Sequence, residues 1–173
     1  YSYMSAAYDR FTELYPDVNT DIQQQNMTEQ QRMEFISQFD AINENGLLGF
    51  CVMGGIYGEG IDLTGDRLIG CAVVGVGLPQ INTQLNTLME YYNRNGENGF
   101  AYAYQYPGMN KVMQAAGRVI RTETDRGVVL LIDSRFTTRR YLANMPAHWS
   151  HLKRVGNTPE LKNELNNFWN KKD

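Results

Sequence analysis

The segment Gln114-Ala-Ala-Gly117-Arg118-Val-Ile-Arg121 gathers one amide and two guanidinium groups at one end of an otherwise apolar stretch. Positions 114, 118 and 121 are spaced i, i+4, i+7. That spacing predicts a helix carrying all three polar groups in one stripe, with Val112, Ala115, Ala116, Val119 and Ile120 turned mostly toward a core. Two guanidiniums on one rigid face suit a polyanion, because arginine's planar fork matches phosphate oxygens. By spacing alone, the same stripe is equally a solvated helix face.

A second segment could also meet an anion. Gly54-Gly55-Ile-Tyr57-Gly58-Glu59-Gly60-Ile-Asp62 follows the apolar run Gly49-Phe-Cys-Val-Met53. Glycines there let the backbone approach a ligand and turn N–H groups toward its oxygens. It is neither a P-loop nor a dinucleotide fingerprint: no GxxxxGK[ST] occurs in the chain, and the third glycine of GxGxxG is missing. Alone, it reads as well as a structural turn.

Positioning these groups requires a scaffold. Three apolar runs, 49–53, 68–76 and Val128-Val-Leu-Leu-Ile-Asp133, read as strands buried on both faces. Helical patterns cover 6–14 (ended by Pro16), Thr28 to about Phe39 and 80–92. Met33, Phe35, Ile36 and Phe39 form the apolar side of the second, and Ile81, Leu85, Leu88 and Met89 that of the third. Between the first two helices, 18–27 reads as a short edge strand and a turn. Residues 93–98 are a loop, 101–106 a short extended piece, and Pro107 opens the Gln114 helix. Asp125-Arg126-Gly127 is a turn, and further helical pieces lie near 137–144 and 159–170, with Trp149 and Trp169 as apolar anchors. Strands alternating with helices predict a parallel α/β sheet flanked by helices on both faces, a three-layer α/β/α domain. Ligands of such sheets bind at the C-terminal ends of the strands, which puts the 54–62 loop, the Gly77-Leu78-Pro79 loop and Asp133-Ser134-Arg135 on one edge.

Composition narrows the class. A chain of 173 residues with 42% hydrophobic and 20% charged content describes one folded, soluble domain. No apolar run reaches the roughly 20 residues needed to span a bilayer. Residues 1–110 hold 4 Lys/Arg against 13 Asp/Glu, and residues 111–173 hold 12 against 6. A basic C-terminal third is a local footprint for phosphates, while an overall pI near 5.4 argues against nonspecific coating of nucleic acid. Cys51 and Cys71 lack CxxC or histidine partners and read as reduced core thiols of an intracellular protein, with no metal site. The opening Tyr1-Ser-Tyr-Met4 leads us to expect a fragment or trimmed chain.

Taken in order, the strand, the GEGID loop, a strand, GLP, a long helix, QAAGRVIR, Thr124-Asp125-Arg-Gly127, an apolar strand and Asp133-Ser-Arg135-Phe136 resemble the second RecA-like motor domain of XPD/DinG-type superfamily-two DNA helicases. In that family, Gly58-Glu-Gly-Ile-Asp62 matches motif V and Gln114–Arg121 matches motif VI. The resemblance is firmest from about Gly49 to Phe136, and it implies one RecA-like domain over residues 1–173. It implies ATP and Mg²⁺ bound jointly with a first RecA-like domain, which supplies the Walker A lysine and the acidic metal-binding residues. Arg118 and Arg121 would be arginine fingers, and Gln114 would position the nucleotide or the attacking water. Glu59, Gly60 and Asp62 would shape the nucleotide side of the loop, Asp62 reaching the ribose or linking to the DNA side. Tyr57, Gly58 and Thr64 would lie on the path of single-stranded DNA.

The resemblance further implies movement 5′ to 3′, service in DNA repair or replication, and a cytoplasmic location away from membranes. Without Walker A or DEAH-type boxes, the chain is expected to be inactive as an ATPase by itself. An iron–sulfur cluster, where relatives have one, belongs to the first motor domain. A strand carrying motif IV is expected before the first helix; its loss at Tyr1-Ser-Tyr3 would leave a gap in the sheet. The main alternative is a non-catalytic RecA-like module that binds nucleic acid or protein, against which the intact Arg118 and Arg121 weigh. A free-standing nucleotide-dependent transferase or flavodoxin-like protein would need its own phosphate-cradling loop, and none is present. Trp149 offers a stacking surface, and Arg139 and Arg140 a charged one, though ordinary packing and solvation account for them equally.

Overall fold

A computed structural model of the chain describes residues 1–40, 46–54, 63 and 65–171. Residues 1–136 and 137–173 form two compact units. The first unit begins with α1 (Ser2–Leu14), β1 (Asn19–Ile22) and α2 (Glu29–Ser37). It continues through β2 (Leu47–Phe50), β3 (Gly70–Val74), α3 (Thr83–Arg94), α4 (Tyr106–Ala116) and β4 (Val128–Ile132). The second unit holds α5 (Arg139–Leu142), a 3₁₀ turn at Ala147–His151 and α6 (Thr158–Asn170).

All strand pairing among the described residues is parallel, as expected from apolar strands separated by helices. It falls into two two-stranded ladders, however, and not one continuous sheet. β1 pairs with β2 from Asn19↔Leu47 to Ile22↔Phe50, and β3 with β4 from Gly70↔Val128 to Val74↔Ile132.

The first ladder has helices on both faces. Successive residues of a strand point to opposite sides. Phe50 meets Tyr8 and Phe11 of α1, with ring centroids 5.5 and 5.9 Å away. On the other side, a Cβ at Gly49 would lie 2.7 Å from Phe39 and 3.1 Å from Phe35, so only glycine lets α2 sit this close. Phe35 is the centre of a core cluster with Leu63, backed by Met27, Ile36, Phe39 and Leu68. α2 starts where Thr28 predicts, through a capping box. The Thr28 hydroxyl accepts the Gln31 N–H at 3.2 Å, and the Gln31 side chain accepts the Thr28 N–H at 2.8 Å.

The second ladder is covered on one face by α4. Val73 is buried, whereas Ala72 and Val74 of the same strand are exposed, so β3 alternates where burial on both faces was expected. α4 is seated on the exit of β3 by two glycines in mutual contact. A Cβ at Gly108 would meet the Val76 carbonyl oxygen at 2.6 Å, and one at Gly77 (φ +65°) would meet the Gly108 oxygen at 2.8 Å.

Other expectations need correction. Residues 101–105 are a π-helical turn leading into α4, not an extended piece. The Ala-Tyr-Ala-Tyr alternation imitates a strand, but Ala101, Ala103 and Tyr104 are all buried, and Tyr102 stacks on Tyr92 of α3 at 4.0 Å. The expected strands at 49–53 and 68–76 are the shorter β2 and β3, which leaves Cys51 beyond the end of β2. Cys51 is exposed as a residue and is not a core thiol, yet desolvation of its sulfur, with Asp21 and Cys71 nearby, pushes its pKa up to about 12. Both cysteines are free thiols. Met33, Ile81, Leu88 and Trp169 are exposed instead of core-facing.

Candidate functional site

The Gln114 stripe is not a single helix face. α4 stops at Ala116, with Gly117 as its cap, and the chain tightens through Arg118 N–H to Ala115 O at 3.2 Å and Val119 N–H to Ala116 O at 3.1 Å. Gln114 is therefore exposed on the last helical turn, half-buried Arg118 projects from a 3₁₀-type turn, and Arg121 is exposed on the loop beyond it. The physical reason is Val119. It is buried where the two strands of the second ladder begin, so close to Gly127 that a Cβ there would come within 2.3 Å of its Cγ1. Anchoring Val119 against the strands pulls the chain off the helical path. Val112, Ala116 and Val119 are buried as expected, Ala115 is half-buried, and Ile120 is exposed.

The loop that carries Arg121 has its own clamp. One Asp125 carboxylate oxygen accepts the Arg121 N–H at 2.7 Å and the Thr122 N–H at 2.8 Å, and the other accepts the Thr122 hydroxyl at 2.7 Å. These bonds, led by the Thr122 hydroxyl and joined by the Gly65 N–H, lower the Asp125 pKa to about 2. Asp125 stays ionised at any physiological pH. Sequence reasoning read 125–127 as a turn and Thr124–Gly127 as part of the family pattern, and gave Asp125 no role of its own. The available signal was an aspartate flanked by Thr122 and Thr124, a composition that favours side-chain bonds to nearby backbone N–H groups.

Tyr57, Gly58, Glu59, Gly60, Asp62 and Thr64 lie outside the described residues, but both flanks of their segment are described. At its entry, Gly54 (φ +78°) sits under the Lys111 side chain; a Cβ there would meet Lys111 Cδ at 2.9 Å. Lys111 is one helical turn before Gln114. At its exit, Leu63 is buried beside Phe35, and a 3₁₀ turn, Gly65–Arg67, is tied down by Arg67 to Asp40 at 2.7 Å. The Gly65 N–H is near enough to Asp125 to add a small share to its lowered pKa. The glycine-rich segment thus leaves and re-enters the described structure beside the elements bearing Gln114 and Arg121.

The third candidate loop lies at the opposite end of the second ladder, where its strands finish. The Gly75 N–H donates to the Ile132 carbonyl at 3.1 Å, so β3 and β4 end side by side. Asp133 follows directly and holds Arg135 in a two-point grip, Nε at 2.9 Å and a terminal nitrogen at 2.7 Å, while also accepting the Arg135 N–H at 2.9 Å. Arg135 holds the Asp133 carboxyl below the usual carboxylate range. In the second unit, Trp149 is half-buried and lines a concavity with Leu142, Met145 and Leu152, and Arg139 and Arg140 are exposed.

Among the described residues, no group of three or more His, Cys, Asp or Glu is placed to hold a metal ion, and no helix is long and apolar enough to cross a membrane.

Comparison with known proteins places these features in a family. The helicase C-terminal domain model matches residues 1–152. The ATP-dependent DNA helicase DinG of Photobacterium profundum is 35% identical over 89 residues, 50% of this chain and 13% of that protein. The regulator of telomere elongation helicase 1 homolog of Anopheles gambiae is 31% identical over 136 residues, 74% of this chain and 14% of its own. The general transcription and DNA repair factor IIH helicase subunit XPD/RAD3 of Saccharomyces cerevisiae is 33% identical over 104 residues, 57% of this chain and 13% of that subunit. The chain spans about one seventh of the length of these relatives.

Proposed function

This chain belongs to the helicase C-terminal domain family of DinG- and XPD-like helicases, with its RecA-like α/β fold, and from that premise we propose that it is the second motor domain of an ATP-dependent DNA helicase. ATP and its Mg²⁺ would sit between this domain and a first RecA-like domain of the same polypeptide. That partner supplies the phosphate-cradling lysine and the acidic metal-binding residues, for which this chain has no motif.

Hydrolysis of the γ-phosphate spreads negative charge over its equatorial oxygens, and cations fixed in advance stabilise that charge. Arg118 and Arg121 supply them from across the cleft. Gln114, on the adjoining helical turn, orients the nucleotide or the attacking water. Glu59, Gly60 and Asp62 contribute the nucleotide side of the glycine-rich segment, with Asp62 at the ribose or at the link to the DNA side. Tyr57, Gly58 and Thr64 face the single strand.

The observation that carries this reading is the placement of the segment's two flanks. Gly54 packs under Lys111 on the helix of Gln114, and the Gly65 N–H lies near enough to Asp125, the aspartate that clamps Arg121, to help lower its pKa. A change in nucleotide contact at the arginines would therefore be felt at once by the segment assigned to DNA. Because the arginines reach the γ-phosphate only when two domains close, each round of hydrolysis would open the cleft and advance the strand. By the family resemblance, the parent enzyme would move 5′ to 3′, in DNA repair or replication.

Arg118→Ala and Arg121→Ala in the full-length polypeptide test the assignment. Each is expected to leave ATP binding within about twofold and to lower DNA-stimulated hydrolysis on the order of 10³-fold. Unchanged turnover in both variants would refute it.

A further inference from the structure

The proposed role of Arg121 leaves open what holds a loop arginine still enough to act as a catalytic cation. Beyond α4, the hydrogen bonds that continue the chain reach only Arg118 and Val119. After Ile120, the N–H groups of Arg121 and Thr122 are both taken by Asp125. The second carboxylate oxygen takes the Thr122 hydroxyl, which lies 3.2 Å from the Thr124 hydroxyl. This side chain, with the Asp125 N–H donating to the Thr122 carbonyl at 3.3 Å, closes a five-residue loop from Arg121 to Asp125.

We infer that Asp125 is a positioning residue of the ATPase site, fixing the backbone of Arg121. The inference rests on the reading of Arg121 as a transition-state cation. Its physical basis is the steep dependence of catalysis on placement: an error of about 1 Å in a catalytic group costs on the order of 10²-fold. Freeing the Arg121 and Thr122 amides loosens the backbone that carries the arginine, because Arg121 is exposed and its turn has no buried side chain of its own. Asp125 has no proposed contact with nucleotide, so its removal should change the rate and spare binding.

Geometry matters here more than charge, which the choice of substitution exploits. Asparagine keeps an acceptor oxygen where the two N–H groups need it and can satisfy the Thr122 hydroxyl with its amide. Glutamate keeps the charge but moves the oxygens by one methylene.

The test uses the full-length protein and single-stranded DNA, measuring kcat and KM for ATP together with thermal midpoints. Asp125→Ala is expected to lower kcat by about 10- to 100-fold with KM for ATP within about twofold. Asp125→Asn should recover most of the rate, and Asp125→Glu should not. If Asp125→Ala fails to fold, the contrast between the asparagine and glutamate variants still decides the question. In an Arg121→Ala background, Asp125→Ala should cause no further loss. Four results would overturn the inference: an unchanged kcat in Asp125→Ala, a glutamate variant as active as wild type, an asparagine variant as impaired as alanine, or an equal further loss in the Arg121→Ala background. If Arg121→Ala itself leaves kcat unchanged, the reading of Arg121 has failed first. That outcome is separate from a normal Asp125→Ala beside an inactive Arg121→Ala, which would dismiss the aspartate alone.

Discussion

Two carboxylates organise the turns at either end of β4, and both stay ionised for local reasons. Asp133 is held by Arg135, and Asp125 by the Thr122 hydroxyl and the Arg121 and Thr122 amides. A depressed carboxyl pKa stabilises the folded state above its unfolded value, and the benefit disappears as pH falls through the folded value. For Asp125 that window runs from the ordinary 3.8 down to about 2. The thermal midpoint difference between wild type and Asp125→Asn should therefore stay flat through neutral pH and shrink only as pH falls through that window. Circular dichroism melts across acidic buffers measure this, and a difference that varied near neutrality would assign the effect to another group. At this scale the sequence was half legible. The types and order of Gln114, Arg118 and Arg121 carried the family resemblance, but their stripe did not survive, because periodicity cannot register that Val119 is pulled into the core against Gly127. Asp125 was invisible as a clamp because its bonds reach backbone groups, which have no residue identity to read.

Among the elements, those with local signals were legible. Thr28 with Gln31 three residues on marked the start of α2, and the run from Val128 marked β4. Elements defined by tertiary contact were not. The π-helical turn at 101–105 has the alternation of a strand, and only its packing against α3 makes it helical. Exposed Ile81 shows the same limit from the other side: α3 begins after Asn82, whose side chain accepts the Leu85 N–H at 2.9 Å, so Ile81 falls outside the helix. The seat of α4 yields a prediction at this scale. Gly108→Ala puts a Cβ 2.6 Å from a backbone oxygen, which no rotamer change relieves. It should destabilise the first unit by about 1–3 kcal/mol, read by chemical denaturation. A wild-type midpoint would mean that α4 can lift from the β3 exit without cost.

The molecule as a whole reads as a site with one half present. Its strands are parallel, two of its candidate loops lie where β3 and β4 end while the Arg121 turn lies where β4 begins, and it belongs to the helicase C-terminal domain family. The α/β class was legible because continuous apolar runs between helices allow few arrangements. The division of the strands into two ladders was not read from strand residues, since pairing partners leave little trace in a single sequence.

The central claim is that this chain lends transition-state charge to a nucleotide held mainly by another domain. Binding of ADP with aluminium fluoride, a mimic of the transferring phosphoryl group, against binding of ADP alone tests it most directly. Both are measured on the full-length protein with single-stranded DNA present. Transition-state stabilisation should appear as selective affinity for the mimic. Arg118→Ala is expected to weaken the aluminium fluoride complex on the order of 10³-fold and to leave ADP affinity within about twofold. Equal affinity of the variant and wild type for the mimic would contradict the account.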